Sequence, residues 1–364
     1  MSEQTVTARY YKRPGKDYGY CNARARGMRS RLFTRAFLDG LMEAQDVKRV
    51  IQMLQDTEYS VDIDAEIIHG KTFRSLDEAL KRNMVRTFQK VIGFSNDQAG
   101  LLLTTLLGRW DLFNLKTIIR GKHLDLPAEE IALSLMPLAS FSEVDLTVLT
   151  REPDVRAVVD TLVTWGVEYA TPLRAAVGEY IQNHDLSVLE LSLDRYYAES
   201  VAKRLRGRGQ NYQVARRVLG AQIDSTNLLT VFRLLKADMH DIDPGRFFLS
   251  GGLDVDETLF RTLAAMSDVD EVLDRVKSTP YGKPLEDVVL TYIEEGSISV
   301  FERALEEFVT RRAFAAGRGD PLGVGILIGY LWAKQNEVTN LRIIVKGISV
   351  GMPVDRMRKE LIFV

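Results

Sequence analysis

Apolar residues recur along the chain at spacings of three and four, which is the pattern of amphipathic helices. No stretch keeps the alternation of period two that marks a half-buried strand. The sequence therefore predicts an all-α protein. The clearest helical runs are Val47, Val50, Ile51 and Leu54, and then Leu186, Leu189 and Leu193.

The longest apolar runs, Leu101–Leu107 and Leu322–Ala333, are too short to cross a bilayer, because a spanning helix needs roughly 20 apolar residues. The segment Met1–Tyr11 is polar and lacks the apolar stretch of a secretory signal. The single cysteine, Cys21, cannot form an internal disulfide. This usage fits a reducing compartment such as the cytosol.

One polar pattern recurs three times, and we name it the acid–Asn motif. It is an acidic residue, then Asn-Leu three positions on, then a cation six positions after the Asn. The spacing between copies is constant, since 227 − 114 and 340 − 227 are both 113. The copies are Asp111, Asn114 and Arg120; Asp224, Asn227 and Arg233; and Glu337, Asn340 and Lys346.

Two further signals repeat with nearly the same period. A serine with a glutamate three positions later occurs at Ser75, Ser187 and Ser299, at intervals of 112. This spacing is typical of a capping box, so we expect a helix capped by each serine. Tyrosines recur at 59, 169 and 281, at intervals of 110 and 112.

The repeat has the size of a whole domain. With 364 residues, the chain is too long for one core of ordinary size. A period of this length is also too large for the common helical repeat units. We therefore predict three tandem helical domains, 1–125, 126–245 and 246–364, related by a pseudo-threefold axis.

The acid–Asn motif has two interpretations. Its acid and Asn adjoin on one helix face, so each copy predicts either a polar contact that fixes helix register or a ligand site present three times. Other short matches carry no chemistry. Gly347–Gly351 resembles a nucleophile elbow but lacks a preceding strand and a following histidine. The four histidines are scattered, and we expect no catalytic residue, no metal and no cofactor.

Basic residues offer candidates for partner binding. The segment Arg9–Arg31 interleaves arginines with tyrosines and is either a solvated helix start or a docking surface for an acidic partner. Two glycine-flanked turns in matching phase each carry an arginine. The net charge of −2 gives no field that would attract nucleic acid. The candidate contact residues are Arg24, Arg26, Arg29, Arg31, Arg208 and Arg318.

Three features together resemble the C subunit of archaeal and bacterial V-type (A-type) ATPases. They are the tyrosine-rich segment Tyr18–Arg24, the leucine–tyrosine spacing of Leu54 and Tyr59, and the three acid–Asn motifs. Its eukaryotic counterpart is the d subunit. The resemblance covers essentially the whole chain. One departure is Lys346, where the other copies have arginine.

The resemblance implies a funnel or socket of three helical domains, without a catalytic site or cofactor. It implies a peripheral position at the cytoplasmic face of the membrane. There the protein would join the central shaft of a rotary motor to the membrane proteolipid ring, for proton or sodium transport coupled to ATP hydrolysis or synthesis. The alternatives from other classes are a helical scaffold or adaptor unrelated to a motor, and an all-helical enzyme.

Overall fold

The computed structural model describes residues 18–70, 72–237 and 243–363. Every regular element in these ranges is a helix, and two short 3₁₀ turns, Ile67–His69 and Pro244–Phe247, complete the set. The prediction of an all-α fold is confirmed.

The helices follow one another with short connections. The first nine are α1 (Gly19–Arg29), α2 (Arg35–Met42), α3 (Val47–Leu54), α4 (Ser60–Glu66), α5 (Phe73–Phe94), α6 (Asp97–His123), α7 (Ala128–Ala132), α8 (Glu143–Arg151) and α9 (Val155–Trp165). The others are α10 (Ala170–Asn183), α11 (Leu186–Arg204), α12 (Gln210–Lys236), α13 (Glu257–Ala264), α14 (Val269–Val276), α15 (Gly282–Glu286), α16 (Val289–Glu295), α17 (Ser299–Ala315), α18 (Gly325–Ser349) and α19 (Val354–Glu360).

Helices do begin near the three Ser-x-x-Glu sequences, but the prediction that the serines cap them is wrong. The cap of α5 is Thr72, whose hydroxyl accepts the backbone N–H of Ser75 at 3.2 Å. The cap of α11 is Asp185, which accepts the backbone N–H of Ser187 at 2.9 Å. Ser299 is already the first residue of α17. An oxygen two or three residues upstream reaches the free amide of each of the first two serines, so those helices begin earlier.

The chain divides into two compact units. Unit 1 contains Thr104–Arg312, and unit 2 combines the described residues up to Leu103 with those from Ala313 onward. Two of the three acid–Asn motifs lie in unit 1, on α6 and α12, and the third lies in unit 2, on α18.

Two hydrophobic cores lie among the described residues of unit 1. The first runs from Leu115 on α6 to Leu193 on α11, and the second from Leu228 on α12 to Leu305 on α17. Each core joins a motif helix to the helices that follow it in the chain. These cores cross positions 125 and 245, where the sequence predicts domain boundaries, and the three-domain division stays a prediction.

Unit 2 is organised around α18. This helix packs against α1, α2, α3, α5 and α19, so segments from distant parts of the sequence share one interior. Its inward side chains include Leu341 and Ile344, both fully buried. Of the helices in the described ranges, none has the length and apolar character that a bilayer crossing requires.

Candidate functional site

The three motif asparagines make the same paired hydrogen bonds. Each side-chain amide donates to a backbone carbonyl and accepts the backbone N–H of the same residue, 22 positions later. An extended backbone offers this donor–acceptor pair, and an asparagine amide matches it. The pairs are Asn114 with Met136 (2.7 and 2.8 Å), Asn227 with Leu249 (2.9 and 3.0 Å) and Asn340 with Ile362 (2.9 and 3.1 Å).

The acids of the first two motifs also bind backbone amides. Asp111 accepts the N–H of Ser140 at 3.0 and 3.1 Å and that of Phe141 at 3.4 Å. This segment follows the residue held by the motif asparagine. Asp111 and Asn114 therefore hold one downstream segment against α6 by hydrogen bonds at two places.

Asp224 repeats this arrangement with three amides. It accepts the N–H groups of Leu253 and Asp254 at 2.9 Å and of Val255 at 3.2 Å. A side chain on Gly252 would overlap the carboxylate, because a Cβ built there runs into Asp224 Oδ1. Glycine is therefore required for the backbone to approach the acid closely.

Burial sets the electrostatics of both carboxylates. Asp111 is 1% exposed, and desolvation raises the pKa of its carboxyl to about 7, against the opposing effect of the Ser140 contacts. Desolvation raises the pKa of Asp224 as well, opposed by the three amides and by Tyr281. No basic side chain forms an ion pair with either acid among the described residues.

The third acid, Glu337, uses a different set of partners. It accepts the N–H of Phe33 at 2.5 Å and the hydroxyl of Tyr59 at 2.7 Å. Lys334 donates to Glu337 at 3.0 Å and to the Tyr59 hydroxyl at 2.8 Å. The lysine is 4% exposed, and burial lowers its pKa against the effect of Glu337. In this motif the acid therefore forms a buried ion pair with Lys334, and the Tyr59 hydroxyl is hydrogen-bonded to both partners.

The repeated tyrosines lie beside the acids. Tyr281 donates to Asp224 at 2.9 Å, as Tyr59 does to Glu337. Tyr169 donates instead to the Gly108 carbonyl at 3.3 Å, and burial, then the nearby Asp111, raise its pKa. Two independent sequence signals therefore meet at each motif, with the tyrosine taken from another copy of the repeat.

The two motif arginines form exposed contacts with glutamates among the described residues, and Lys346 does not. Arg120 makes a bidentate pair with Glu190, and Arg233 lies 3.5 Å from Glu302. Both glutamates belong to the Ser-x-x-Glu signals of the following copies. Lys346 has no such pair among the described residues. The corresponding Glu78 is bonded to Lys81 at 2.7 Å, a lysine that the other copies replace with leucine.

The four candidate arginines near the start of the chain already have partners within unit 2. Arg24 donates to the Tyr20 hydroxyl, and Arg26 donates to a backbone carbonyl. Arg29 lies over the Phe314 ring at 4.1 Å. Arg31 pairs with Glu58 at 2.7 Å.

Arg208 and Arg318 differ from these four. Each is exposed, and its side chain forms no hydrogen bond or ion pair with another described residue. Arg208 lies between α11 and α12, and Arg318 lies between α17 and α18, as the glycine-flanked sequences predict. A Cβ on Gly207 would run into the Tyr212 ring, and one on Gly317 would meet the Ile326 Cδ1 at 2.9 Å, so a larger residue at either turn would require its neighbour to shift.

Sequence reasoning missed two features of the motifs. Lys334 stands three positions before Glu337, where the first two copies have Gly108 and Ala221. The sequence signal that could have revealed this residue is a lysine that follows an apolar helical segment. The backbone segments bound by the motifs carried no signal, because backbone groups are the same in every sequence. No group of histidine, cysteine or acidic residues suited to a metal occurs in the part of the chain that the structure describes.

Comparisons with known proteins identify the family. A family model described as ATP synthase (C/AC39) subunit matches residues 21–360. The C subunit of the A-type ATP synthase of Methanocaldococcus jannaschii is 28% identical over 345 residues, covering 95% of this chain and 86% of the relative. The C subunit of Haloquadratum walsbyi is 27% identical over 357 residues, which cover 95% of this chain and 98% of the relative. The C subunit of Haloferax volcanii is 28% identical over 354 residues, which cover 96% of this chain and 98% of the relative. The chain therefore belongs to the family of ATP synthase (C/AC39) subunits.

Proposed function

We propose that this chain is a non-catalytic rotor subunit of the central stalk of a V/A-type ATPase. In this role it couples the rotating shaft to the membrane proteolipid ring, at the cytoplasmic face of the membrane, for proton or sodium transport. The observation that carries the proposal is the family match over residues 21–360, together with relatives named as the C subunits of A-type ATP synthases.

The construction of the acid–Asn motifs supports this role. A coupler must pass torque without deforming, and close-packed helices resist compression and transmit strain. Three buried asparagines each fix a later segment to a long helix, and three buried acids add further contacts. The buried acids and asparagines of these motifs bind other parts of the same chain. Torque therefore crosses this protein through its shape and many distributed contacts.

Arg208 and Arg318 are the strongest candidates for contact with partner subunits. An exposed arginine without an internal partner loses nothing within the chain when it binds an acidic surface. The four arginines from Arg24 to Arg31 would first have to give up existing contacts. We therefore rank them below the two turn arginines as binding residues.

Co-purification tests the assignment. We expect a tagged chain to co-purify with the shaft and ring subunits of one rotary ATPase when it is recovered from detergent-solubilised membranes of its own cell. Recovery of other proteins without these subunits would contradict the proposal and favour a helical scaffold or adaptor. A proton or sodium dependence of the recovered complex would then define the coupled ion.

Charge reversal tests the contact residues separately. We expect Arg208→Glu and Arg318→Glu each to reduce recovery of partner subunits by about tenfold, because the new carboxylate would face an acidic partner surface and be repelled by it. Arg217→Glu and Arg356→Glu are matched controls: both are exposed arginines whose side chains have no partner among the described residues, but they lie on α12 and α19, outside the two glycine-flanked turns. Circular dichroism should show that all four variants keep their helices. Unchanged recovery with both test variants would remove these residues from the interface.

A further inference from the structure

Helix α16, in unit 1, leaves two large apolar side chains in solvent. Leu290 is 76% exposed and Ile293 is 67% exposed. Among the described helices, α16 alone carries two large apolar residues that are each at least two-thirds exposed. Single exposed apolar side chains are common on protein surfaces, whereas adjoining ones often mark a binding site. These two are three positions apart, so they adjoin on one face of the helix.

The core covers only part of the apolar surface of α16. Val289 and Tyr292 pack against the second hydrophobic core of unit 1, and the centre of the Tyr292 ring lies 4.5 Å from that of Phe301. Leu290 and Ile293 each follow one of these residues by one position, so they form a neighbouring face of the same helix. None of the seven residues of α16 is buried. Its apolar surface is therefore wider than the core of this chain uses.

Acidic side chains border the exposed pair. Glu286 precedes it, and Glu294 and Glu295 follow it, and all three are exposed. None of the three forms an ion pair with another described residue, whereas the fourth acid, Asp287, is paired with Lys283 at 2.6 Å. Solvent and salt screen exposed charges. These acids therefore add little to affinity, but they select a partner of the opposite sign.

The repeated fold does not require this surface. The second copy of the repeat lies 112 positions earlier, as the tyrosines at 169 and 281 show, and its equivalent helix is α10. The equivalent positions there lack both the leucine and the acids. In place of Leu290, Glu286 and Glu294 they hold Gly178, Arg174 and Gln182. A copy of the repeat therefore folds without these residues, and binding explains them better than folding does.

We propose that the α16 surface, formed by Leu290, Ile293 and the three unpaired glutamates, binds a basic amphipathic helix of a partner protein. Apolar side chains of the partner helix cover Leu290 and Ile293, and its lysines or arginines face the glutamates. Charge disfavours two other occupants, because an anionic lipid surface and a second copy of this acidic surface would both be repelled. Every residue that defines the surface lies within unit 1, so the proposal does not depend on the rotor assignment.

A synthetic peptide tests the surface on the full, purified chain. The probe is a fluorescent peptide of about 18 residues, with leucines at spacings of three and four and lysines elsewhere, which is the pattern of a basic amphipathic helix. We expect fluorescence anisotropy to report a dissociation constant on the order of 10 μM. A control peptide with the same leucines, and glutamates in place of the lysines, should bind at least about tenfold more weakly.

Apolar variants of the chain locate the bound peptide. Leu290→Ser and Ile293→Ser should each weaken binding of the lysine peptide about tenfold, because each removes apolar area that the peptide covers. Val350→Ser is the matched control, since this valine is 63% exposed but lies in unit 2. Both test residues are exposed, so the melting temperatures of the variants should stay as in the original chain.

Charge variants test the glutamates. The double variant Glu286→Lys with Glu294→Lys should weaken binding of the lysine peptide about tenfold at low salt, and the difference should largely disappear near 0.5 M sodium chloride, where the Debye length is only about 4 Å. Glu129→Lys is the matched control, an exposed glutamate on α7, which packs with the first core of unit 1.

Cross-linking in the cell then identifies what the surface binds. A photoreactive phenylalanine analogue replaces Leu290, and mass spectrometry reads the sequence of the cross-linked segment. We expect a helical segment of a partner protein, rich in lysine or arginine on one face. Cross-links to lipid, to a second copy of this chain or to an acidic segment would overturn the proposal, as would the absence of any cross-link. Equal binding of the two peptides, or unchanged binding in both serine variants, would overturn it whichever subunits co-purify with the chain.

Discussion

The first two acid–Asn motifs and the third bury a carboxylate by different means. Asp111 and Asp224 receive two and three backbone amides, respectively, and no cation, and Asp224 also accepts the Tyr281 hydroxyl. Glu337 receives one backbone amide, one tyrosine hydroxyl and the ammonium of Lys334. Three positions before the acid, the third copy has Lys334 where the other copies have glycine or alanine. The longer side chain of Glu337 leaves room for this lysine.

This difference separates the part of the motif that is fixed from the part that varies. The asparagine contacts are the same in all three copies, down to the spacing of 22 residues. The acid changes its partners from copy to copy. At Asp111, desolvation raises the pKa more than the amide donors lower it. At Glu337, the buried ammonium of Lys334 compensates the charge directly.

The largest effect is expected from removing the buried cation of the third motif. Lys334→Met should destabilise unit 2 by about 3–5 kcal/mol, because Glu337 is left charged and unpaired in the interior. Urea denaturation followed by the fluorescence of Trp332 measures this, with Trp110 and Trp165 replaced by phenylalanine. Adding Glu337→Gln should recover much of the loss, and Lys48→Met should have little effect. A loss below about 1 kcal/mol would show that the pair is not needed.

The asparagines should show nearly equal effects across the copies. Asn114→Ala, Asn227→Ala and Asn340→Ala should each cost about 2–4 kcal/mol in the free energy of unfolding, since each leaves one buried N–H and one buried carbonyl unsatisfied. Hydrogen exchange of the Leu249 amide should accelerate in Asn227→Ala and stay unchanged in the other two variants. A much smaller loss at one copy would break the equivalence of the three motifs.

The burial of Asp111 predicts that the stability of the fold depends on pH. The pKa of Asp111 is raised to about 7 in the folded protein, so the folded state holds a proton that the unfolded state has released above about pH 4. The stability from this group is therefore fully present below about pH 4 and is lost as the pH rises towards 7. Between pH 5 and 7 the loss should be about 2 kcal/mol. Urea denaturation of the original chain and of Asp111→Asn, compared over this range, isolates the contribution. Equal slopes would contradict it.

The smallest effects are expected from the exposed motif cations. Arg120→Gln should cost about 0.5–1 kcal/mol, because the bidentate pair with Glu190 is solvent-exposed. Arg233→Gln should cost less than about 0.5 kcal/mol, given its longer contact with Glu302. Lys346→Gln should have no measurable effect. Thermal unfolding of the three variants tests this order, which a large loss at Lys346 would reverse.

The sequence determined the helical class and the repeat. Spacings of three and four residues report directly on which face of a helix is buried, and a copied domain leaves residues of the same kind at a constant interval. The equal spacing of Asn114, Asn227 and Asn340 therefore predicted equivalent positions, and the structure places equivalent hydrogen bonds there. Helix starts were predicted less well, because several nearby oxygens compete for the same free amides, as Thr72 and Asp185 show.

Only the tertiary structure decided what the motifs bind. Their partners are backbone groups of later segments, which carry no mark in the sequence, and side chains such as Tyr59 that lie 278 residues from Glu337. It also decided that Arg24 to Arg31 are engaged within unit 2, while Arg208 and Arg318 are not. The physical reason is that hydrogen bonds and ion pairs depend on distance in space. A sequence specifies that distance only where one helix holds both partners at a fixed spacing.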